Sequence, residues 1–550
     1  MGKLKFSTQG QLIIAGLILV TILITPLTSF DPFNVSKFVA VTVFGFGLLG
    51  FILGSFRIRQ FLKINKTLSV LIVIFFLQSF LILLLSPTPL LIQLFGGDGR
   101  NTGFLFYSSL VFIFMGGFFF SDTNLKVNIV RGLIFTGLLN TVYGIFQSFG
   151  LDFFKWTNLF SPVFGFFGNP NFLSAFLGMA SSAMFPFLLH NRKNVKFSLM
   201  FILILICNFY VIFSTKSIQG VIIFSFGFLL CIYIFILKSH KLKKFATVFA
   251  VSFFTLIILT ICDVFQKVPW NPVVYKESVS YRGDLWRAAL NMSSDFPITG
   301  VGFDGFGLFY RNYRDSIAIK ERGITTVADS AHNVLLDVLT NGGIPLLIIY
   351  FGFIFLVLRS SLIVLKESKE FDPFFVSLVV SWSTYQMQSL ISINQIGVAI
   401  WGWALGGVIL GYRKPIDTYV SVVKTSRFKN RLQAVSLLLG IFSGLLVSIP
   451  AYNADSNFRT AIDSKQIKLV LDSAYNWPQT PQRMYRVASL FYVNDLNELA
   501  RQVSSDAVSK FPRSYENWEL LSKIKEIPLV ERQEIYRNLV LLDPAIKVIE

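Results

Sequence analysis

Runs of about twenty apolar residues recur along this chain as far as residue 450, and nothing else limits its possible folds so strongly. A bilayer core of roughly 30 Å requires about 20 such residues per helix. The runs lie at 10–28, 38–56, 68–86, 103–121, 128–149, 171–189, 196–214, 217–237, 244–262, 332–358, 373–391, 394–411 and 432–450. The first is too long for a cleaved signal peptide and lacks a small-x-small cleavage site. Hydrophobic residues make up 53% and charged residues 14%, whereas a soluble protein carries about 25% charged. The 550 residues therefore predict one all-α polytopic membrane protein of about 13 transmembrane helices, not several soluble domains.

A net charge of +19 would suit nucleic acid if it were spread over one surface, but it is not. With the N-terminus on the cytoplasmic side, inside segments hold 24 basic residues, and the short outside loops hold only Lys37, Arg100, Lys155 and Lys216. Short loops are where the positive-inside rule applies. The excess charge reads as topology, and nucleic acid is excluded as a partner. Thirteen spans place the C-terminal segment outside; one span more or fewer would move it to the other side. Cys207, Cys231 and Cys262 sit in separate apolar runs with no metal or disulfide spacing, so they read as small core residues.

Three regions depart from the helical pattern of a membrane domain spanning 1–450. Residues 263–331 form an outer loop far longer than ordinary connections. Within it, Tyr281 to Met292 is amphipathic, with Leu285, Trp286, Ala289 and Leu290 assigned to one face, and Asp295-Phe296-Pro297 ends the helix. A second region, Ser86 to Thr102, carries Gly96-Gly97-Asp98-Gly99-Arg100. The third, 451–550, predicts a small soluble helical tail whose Phe511-Pro512 and Asp543-Pro544 breaks resemble tetratricopeptide-like hairpins.

Topology sorts the three histidines. His190 and His240 fall in basic inner loops, whereas His332 stands at the outer start of a helix. There the helix dipole favours a neutral ring able to accept a proton; a capping or packing role is the plainer alternative. Arg282 and Arg287 flank the loop helix, and guanidinium forks suit a diphosphate, although Asp284 could pair with either. Arg311, Arg314, Lys320 and Arg322 extend the basic lining, some of them toward lipid head groups. Arg100, behind a glycine-rich turn, is a further anion candidate. Gly300-Val301-Gly302-Phe303-Asp304-Gly305 matches GxGxxG in form only, because no strand precedes it; a tight turn accounts for it. Gly168-Asn169-Pro170-Asn171 reads as a turn with a helix cap. No outer His, Asp or Glu cluster has metal spacing.

Taken in order, Gly99-Arg100-Asn101-Thr102-Gly103, Tyr143-Gly144…Gln147, Gly168-Asn169-Pro170-Asn171, Tyr281-Arg282…Trp286, Pro297…Gly300-Val301-Gly302 and Ala331-His332-Asn333…Gly342-Gly343 resemble the O-antigen ligase/polymerase superfamily of membrane glycosyltransferases. The resemblance runs from about 80 to 412. It implies transfer of a glycan from an undecaprenyl-diphosphate carrier to a lipid A core, surface glycan or protein acceptor, on the outer face of the bacterial inner membrane. It also implies that neither a metal ion nor a nucleotide sugar takes part, and that no cofactor is needed. On this reading His332 and Arg282 are catalytic, and Arg100, Arg287 and Lys216 bind diphosphate. One departure stands out: where the family has a Ser-Arg-Gly/Ala stretch, this chain reads Ser214-Thr215-Lys216-Ser217-Ile218-Gln219-Gly220. A lysine supplies charge there without a bidentate fork. Ligase and polymerase differ in acceptor, and the tail favours a ligase. An anion transporter and a non-catalytic assembly protein are the alternatives from other classes. Transporters commonly show paired broken helices and inverted repeats, which this sequence lacks.

Overall fold

The computed structural model describes residues 8–55, 65–156, 161–191, 193–239, 255, 277–412, 427–524 and 528–548. Every regular element among them is helical. That suits lipid, where backbone groups must be satisfied within the segment. In the first half of the chain the helices are α1 (Thr8–Ile22), α2 (Asn34–Gly54), α3 (Lys66–Leu85), the short α4 (Leu90–Phe95), α5 (Phe104–Phe119), α6 (Thr123–Ser148), α7 (Pro170–Ser182), α8 (Phe185–His190), α9 (Val195–Ser214) and α10 (Ile218–Lys238). The long loop contributes α11 (Glu277–Asp295), α12 (Phe306–Tyr313) and α13 (Ser316–Arg322). Helices α14 (Val334–Glu367), α15 (Pro373–Ile391), α16 (Ile396–Leu410) and α17 (Arg427–Ser464) follow. The tail is α18 (Ile467–Ala474), α19 (Pro481–Val493), α20 (Asn497–Lys510), α21 (Tyr515–Lys523) and α22 (Leu529–Leu542).

Among the described residues, 8 helices are long and apolar enough to cross a membrane, and Gly10–Ile22, Phe104–Phe119 and Ile396–Leu410 are shorter apolar helices. Apart from residue 255, the span expected at 244–262 and the loop segment 263–276 lie outside the described residues. Helix starts follow the sequence: Asn65, Asp122, Asn194, Asn333 and Asp372 each accept a hydrogen bond from a backbone amide in the following turn. Small residues then let helices touch. A Cβ on Gly50 of α2 would stand 2.1 Å from the Ser436 carbonyl oxygen, and one on Gly440 of α17 would stand 2.3 Å from that of Phe46.

Two expectations are corrected. Leu290 is 47% exposed, while Leu285, Ala288, Ala289 and Met292 are fully buried. The buried stripe thus recurs at i, i+3, i+4 and i+7, and Leu290 lies too far around the helix to join it. The stretch read as one span at 332–358 is instead broken at Gly342 (φ −146°, ψ 17°) and Gly343 (φ 69°, ψ −171°). The loop threads into this break. Pro297 accepts from the Ile344 amide at 2.8 Å, the Val301 amide donates to the Thr340 carbonyl at 2.7 Å, and Gln78 Nε2 donates to the Ile298 carbonyl at 2.7 Å. A Cβ on Gly343 would meet the Pro297 oxygen at 2.4 Å. The Pro297–Gly302 and Gly342-Gly343 motifs are therefore two halves of one joint.

The tail packs on the same face as the loop. Helix α17, about 57 Å long at 1.5 Å per residue, carries Asp455 to the Phe30 amide (2.6 Å) and Arg459 to the Ser29 carbonyl (2.9 Å). Ile92 and Leu308 complete the tail's apolar core around Met484, Val487, Phe491 and Val503. Arg311 lies 3.9 Å over the Tyr515 ring and Arg513 3.9 Å over Phe309. At the centre of this contact Asp543, with no side-chain exposure, takes Arg314 at 2.5 Å and Arg311 at 3.1 Å. Arg314 is itself 1% exposed. Asp543→Ala strands that buried cation, which costs about 3–5 kcal/mol. The expected outcome is release of the tail from the loop, read as rapid proteolytic cleavage after residue 464 of protein that otherwise stays intact.

Candidate functional site

The N-terminal end of α14 is built by short-range hydrogen bonds. Asn333 Oδ1 accepts from the amides of Leu335 (3.0 Å) and Leu336, Ser330 Oγ accepts from the His332 amide (3.2 Å), and Asp337 Oδ1 accepts from the Ala331 amide (2.7 Å). His332 adopts a left-handed backbone, φ 51°. Asn333 does the capping, so the imidazole is not used for it, and neither ring nitrogen has a hydrogen-bond partner among the described residues. Burial, then Arg100 and Arg282, push the His332 pKa down to about 4, against the opposing pull of Asp329. The neutral ring expected from the helix dipole is therefore present, but desolvation and two cations set it.

Arg282 reaches this point because the buried stripe of α11 packs against Val301, Phe306, Phe309 and Ala331. Tyr281 is pinned beside it through its hydroxyl to the Val327 carbonyl, 3.1 Å. Arg282 has no carboxylate partner among the described residues, and burial lowers its pKa. Arg287, one and a half turns on, is committed to Asp284 (2.6 Å) and Asp315 (2.5 Å). Asp284 also takes Arg322 at 2.9 Å. The pairing open in the sequence is resolved: Asp284 ties Arg287 and Arg322 into the loop framework and leaves Arg282 free. Arg311 and Arg314 belong to the tail contact.

Arg100 comes from the Gly96–Arg100 turn, which the loop holds in place. Asp304 accepts from the Gly97 amide (2.7 Å) and the Thr102 hydroxyl (3.0 Å). Arg100 forms a two-pronged pair with Asp329, its own side chain 12% exposed against 65% for Asp329. Burial opposes charge on Asp329, but the guanidinium outweighs it and keeps the carboxylate below its usual range. Burial pushes Asp304 up, with partial relief from Arg100. Around this pair lies a cleft of about 320 Å³ lined by Arg100, Thr102, Tyr107, Asp304, Asp329, Ser330, Asp337, Asn341 and Asn394. The carboxylates and amides of this lining escaped sequence reading. Asp304 lay inside a motif read as a turn, and the others had no basic neighbour in sequence to draw attention to them.

Lys216 is the outlier. It is exposed, with φ 59°, on the turn between α9 and α10. Ser217 beside it donates to Asn171 Oδ1 at 2.7 Å. Tyr143 and Gln147 hold Asp152 (2.9 and 2.8 Å), and Gln147 Oε1 accepts from the Phe164 and Gly165 amides. These motifs therefore build a second platform. It joins the first through the start of α2, where Lys37 donates to the Phe166 carbonyl (2.7 Å) and Asn34 to the Gly99 carbonyl (2.8 Å). Nothing places Lys216 in contact with Arg100, Arg282 or His332.

The site thus offers a neutral imidazole, an unpaired guanidinium beside it and a second guanidinium held by a displaceable carboxylate. This suits transfer away from an anionic leaving group. No curated protein matches the chain significantly. Residues 199–351, which hold Lys216, Arg282, Arg287 and His332, match the family model described as O-antigen ligase. The chain is thus a helical membrane protein by its apolar helices, and within it the segment 199–351 is similar to the O-antigen ligase family.

Proposed function

We propose that this protein is an O-antigen ligase-type, metal-independent inverting transferase that moves a glycan from undecaprenyl diphosphate to a lipid, glycan or protein acceptor on the outer face of the inner membrane. The observation that carries the reading is the adjacency of a neutral His332 to an Arg282 left without a carboxylate. The acceptor hydroxyl attacks the anomeric carbon, its proton passes to His332, and the bond from that carbon to the diphosphate oxygen breaks. Arg282 and Arg100 meet the charge that develops on the leaving diphosphate. Arg287 acts indirectly, holding α11 against α13. Lys216 serves as a point charge at the second platform. Transfer by protein purified with its lipid-linked glycan and acceptor tests the proposal. Full activity in both His332→Ala and Arg282→Ala, at normal membrane levels, would overturn it.

The tail over the site favours a ligase. Full-length carrier-linked chains accumulating in a deletion strain support ligation; accumulation of single repeat units supports the polymerase of the same superfamily.

Asp329 occupies Arg100 where a phosphate oxygen would bind. Asp329→Asn removes this competitor, and since the carboxylate is largely exposed its contribution is screened to about 0.2–1 kcal/mol. The donor KM is expected to fall roughly two- to five-fold in initial-rate measurements.

A further inference from the structure

A second polar cavity lies behind the same turn that presents Arg100. It encloses about 340 Å³ between residues 96–101 and the tail, and Asp98, Asn101, Asp455, Thr480 and Arg483 line it. Arg483 enters from α19 and is 4% exposed. Its Nη2 donates to the carbonyls of Asn476 (2.6 Å) and Pro478, but its Nε is buried with no partner. Asn101 is 7% exposed, with φ 54°, and its side-chain amide has no hydrogen bond among the described residues. The cavity thus pairs two unspent donors with two carboxylates, Asp98 already beside Arg486 at 3.4 Å and Asp455 already accepting the Phe30 and Asp31 amides. Beside it Trp477, 54% exposed, stands edge-on to Phe95 at 5.3 Å between centroids, leaving an indole surface open next to the lining residues Phe95 and Pro478.

Vicinal hydroxyls of a pyranose donate to carboxylates and accept from N–H groups, and the C–H face of the ring covers an indole. A free phosphate fits poorly, because Asp98 and Asp455 repel it. Pockets of this size take small ligands through a few placed polar groups. Successive residues serve opposite sides of the turn: Arg100 and Thr102 line the cleft, while Asp98, Gly99 and Asn101 line the cavity.

We propose that this cavity is a saccharide subsite, filled by a sugar unit of the glycan whose reacting end lies beside Arg100. The proposal rests on the transferase reading and assigns the tail a share of glycan recognition. The sugar belongs either to the donor chain or to the acceptor, and the kinetics separate these sources.

The test uses full-length protein in nanodiscs with lipid-linked glycan and acceptor from the source bacterium. Asn101→Gly keeps the left-handed backbone while deleting the amide, and Trp477→Ala deletes the stacking face. The expected result is a KM at least five-fold higher for one glycan substrate, with kcat and the other KM within two-fold. A rise confined to the acceptor KM assigns the subsite to the acceptor; a rise confined to the donor KM assigns it to the donor. Both KM values unchanged in both variants overturn the proposal. Absence of transfer by the wild-type protein overturns the transferase reading instead. If neither variant folds, saturation-transfer NMR of wild-type protein with glycan released from its carrier decides. Saturation of one sugar unit that Asp98→Asn abolishes supports the subsite, and no saturation at millimolar glycan overturns it.

Discussion

Arg282→Ala is expected to lower kcat for glycan transfer by roughly 10²–10³, the usual cost of removing one preorganised charge from a developing anion, while protein levels in the membrane stay normal. The structural stake of this side chain is small, because it forms no ion pair among the described residues. Its neighbours Arg287 and Arg322 share Asp284 instead. Arg282→Lys restores the charge without the fork and should recover only part of the loss. Arg287→Ala behaves differently. It leaves Asp284, with no side-chain exposure, to Arg322 alone, so it lowers the yield of folded protein more than kcat per folded molecule. Comparing single-turnover rates with folded yields for the two variants checks this. Equal losses of kcat in both would show that the free and the paired arginine do the same work.

His332→Ala is expected to lower kcat by roughly 10²–10⁴ with little change in donor KM, as for loss of a general base. The pH dependence gives a sharper check. In the free enzyme burial, Arg100 and Arg282 hold the ring near pKa 4. It is therefore neutral and competent above that value and becomes protonated only as pH falls through it. From pH 7 down to about 5, kcat/KM should stay flat where His332 alone is concerned. Bound diphosphate cancels much of the field of the two guanidinium groups, so the ring's pKa rises toward its ordinary value of about 6.5. The acid limb of kcat should then lie at higher pH than that of kcat/KM. Coincident limbs would mean that the diphosphate does not neutralise the cations facing His332.

Some of this site is legible in sequence because its causes are local. Span length and basic-residue bias depend only on counts, so the expectation that the loop lies outside comes from counting alone. Arg282 and His332 stand out because each is the right chemical type at the edge of a recognisable helix. Leu290 shows where local reading fails: neighbouring apolar residues look like one face until the helix is docked and the buried stripe proves to be Leu285, Ala288, Ala289 and Met292. The Gly342-Gly343 break fails for another reason. Two glycines inside an apolar run do not announce that a segment forty residues earlier will fill the gap and satisfy the Thr340 carbonyl and the Ile344 amide.

From its own pattern the sequence determined an all-helical membrane protein, and it pointed to Arg282 and His332 as the residues to test. Apolar length, helix period and charge bias act over a few residues, so they can be read one segment at a time. Tertiary structure alone decided which arginines remain free. Arg287 and Arg314 are chemically equal to Arg282, but Arg287 is taken by Asp284 on its own helix together with Asp315 beyond it, and Arg314 by Asp543 of the tail, while no carboxylate among the described residues reaches Arg282. It also decided that the tail would close over the Arg100 turn. Pairing and desolvation depend on what the fold brings within a few ångströms, and no local pattern carries that information.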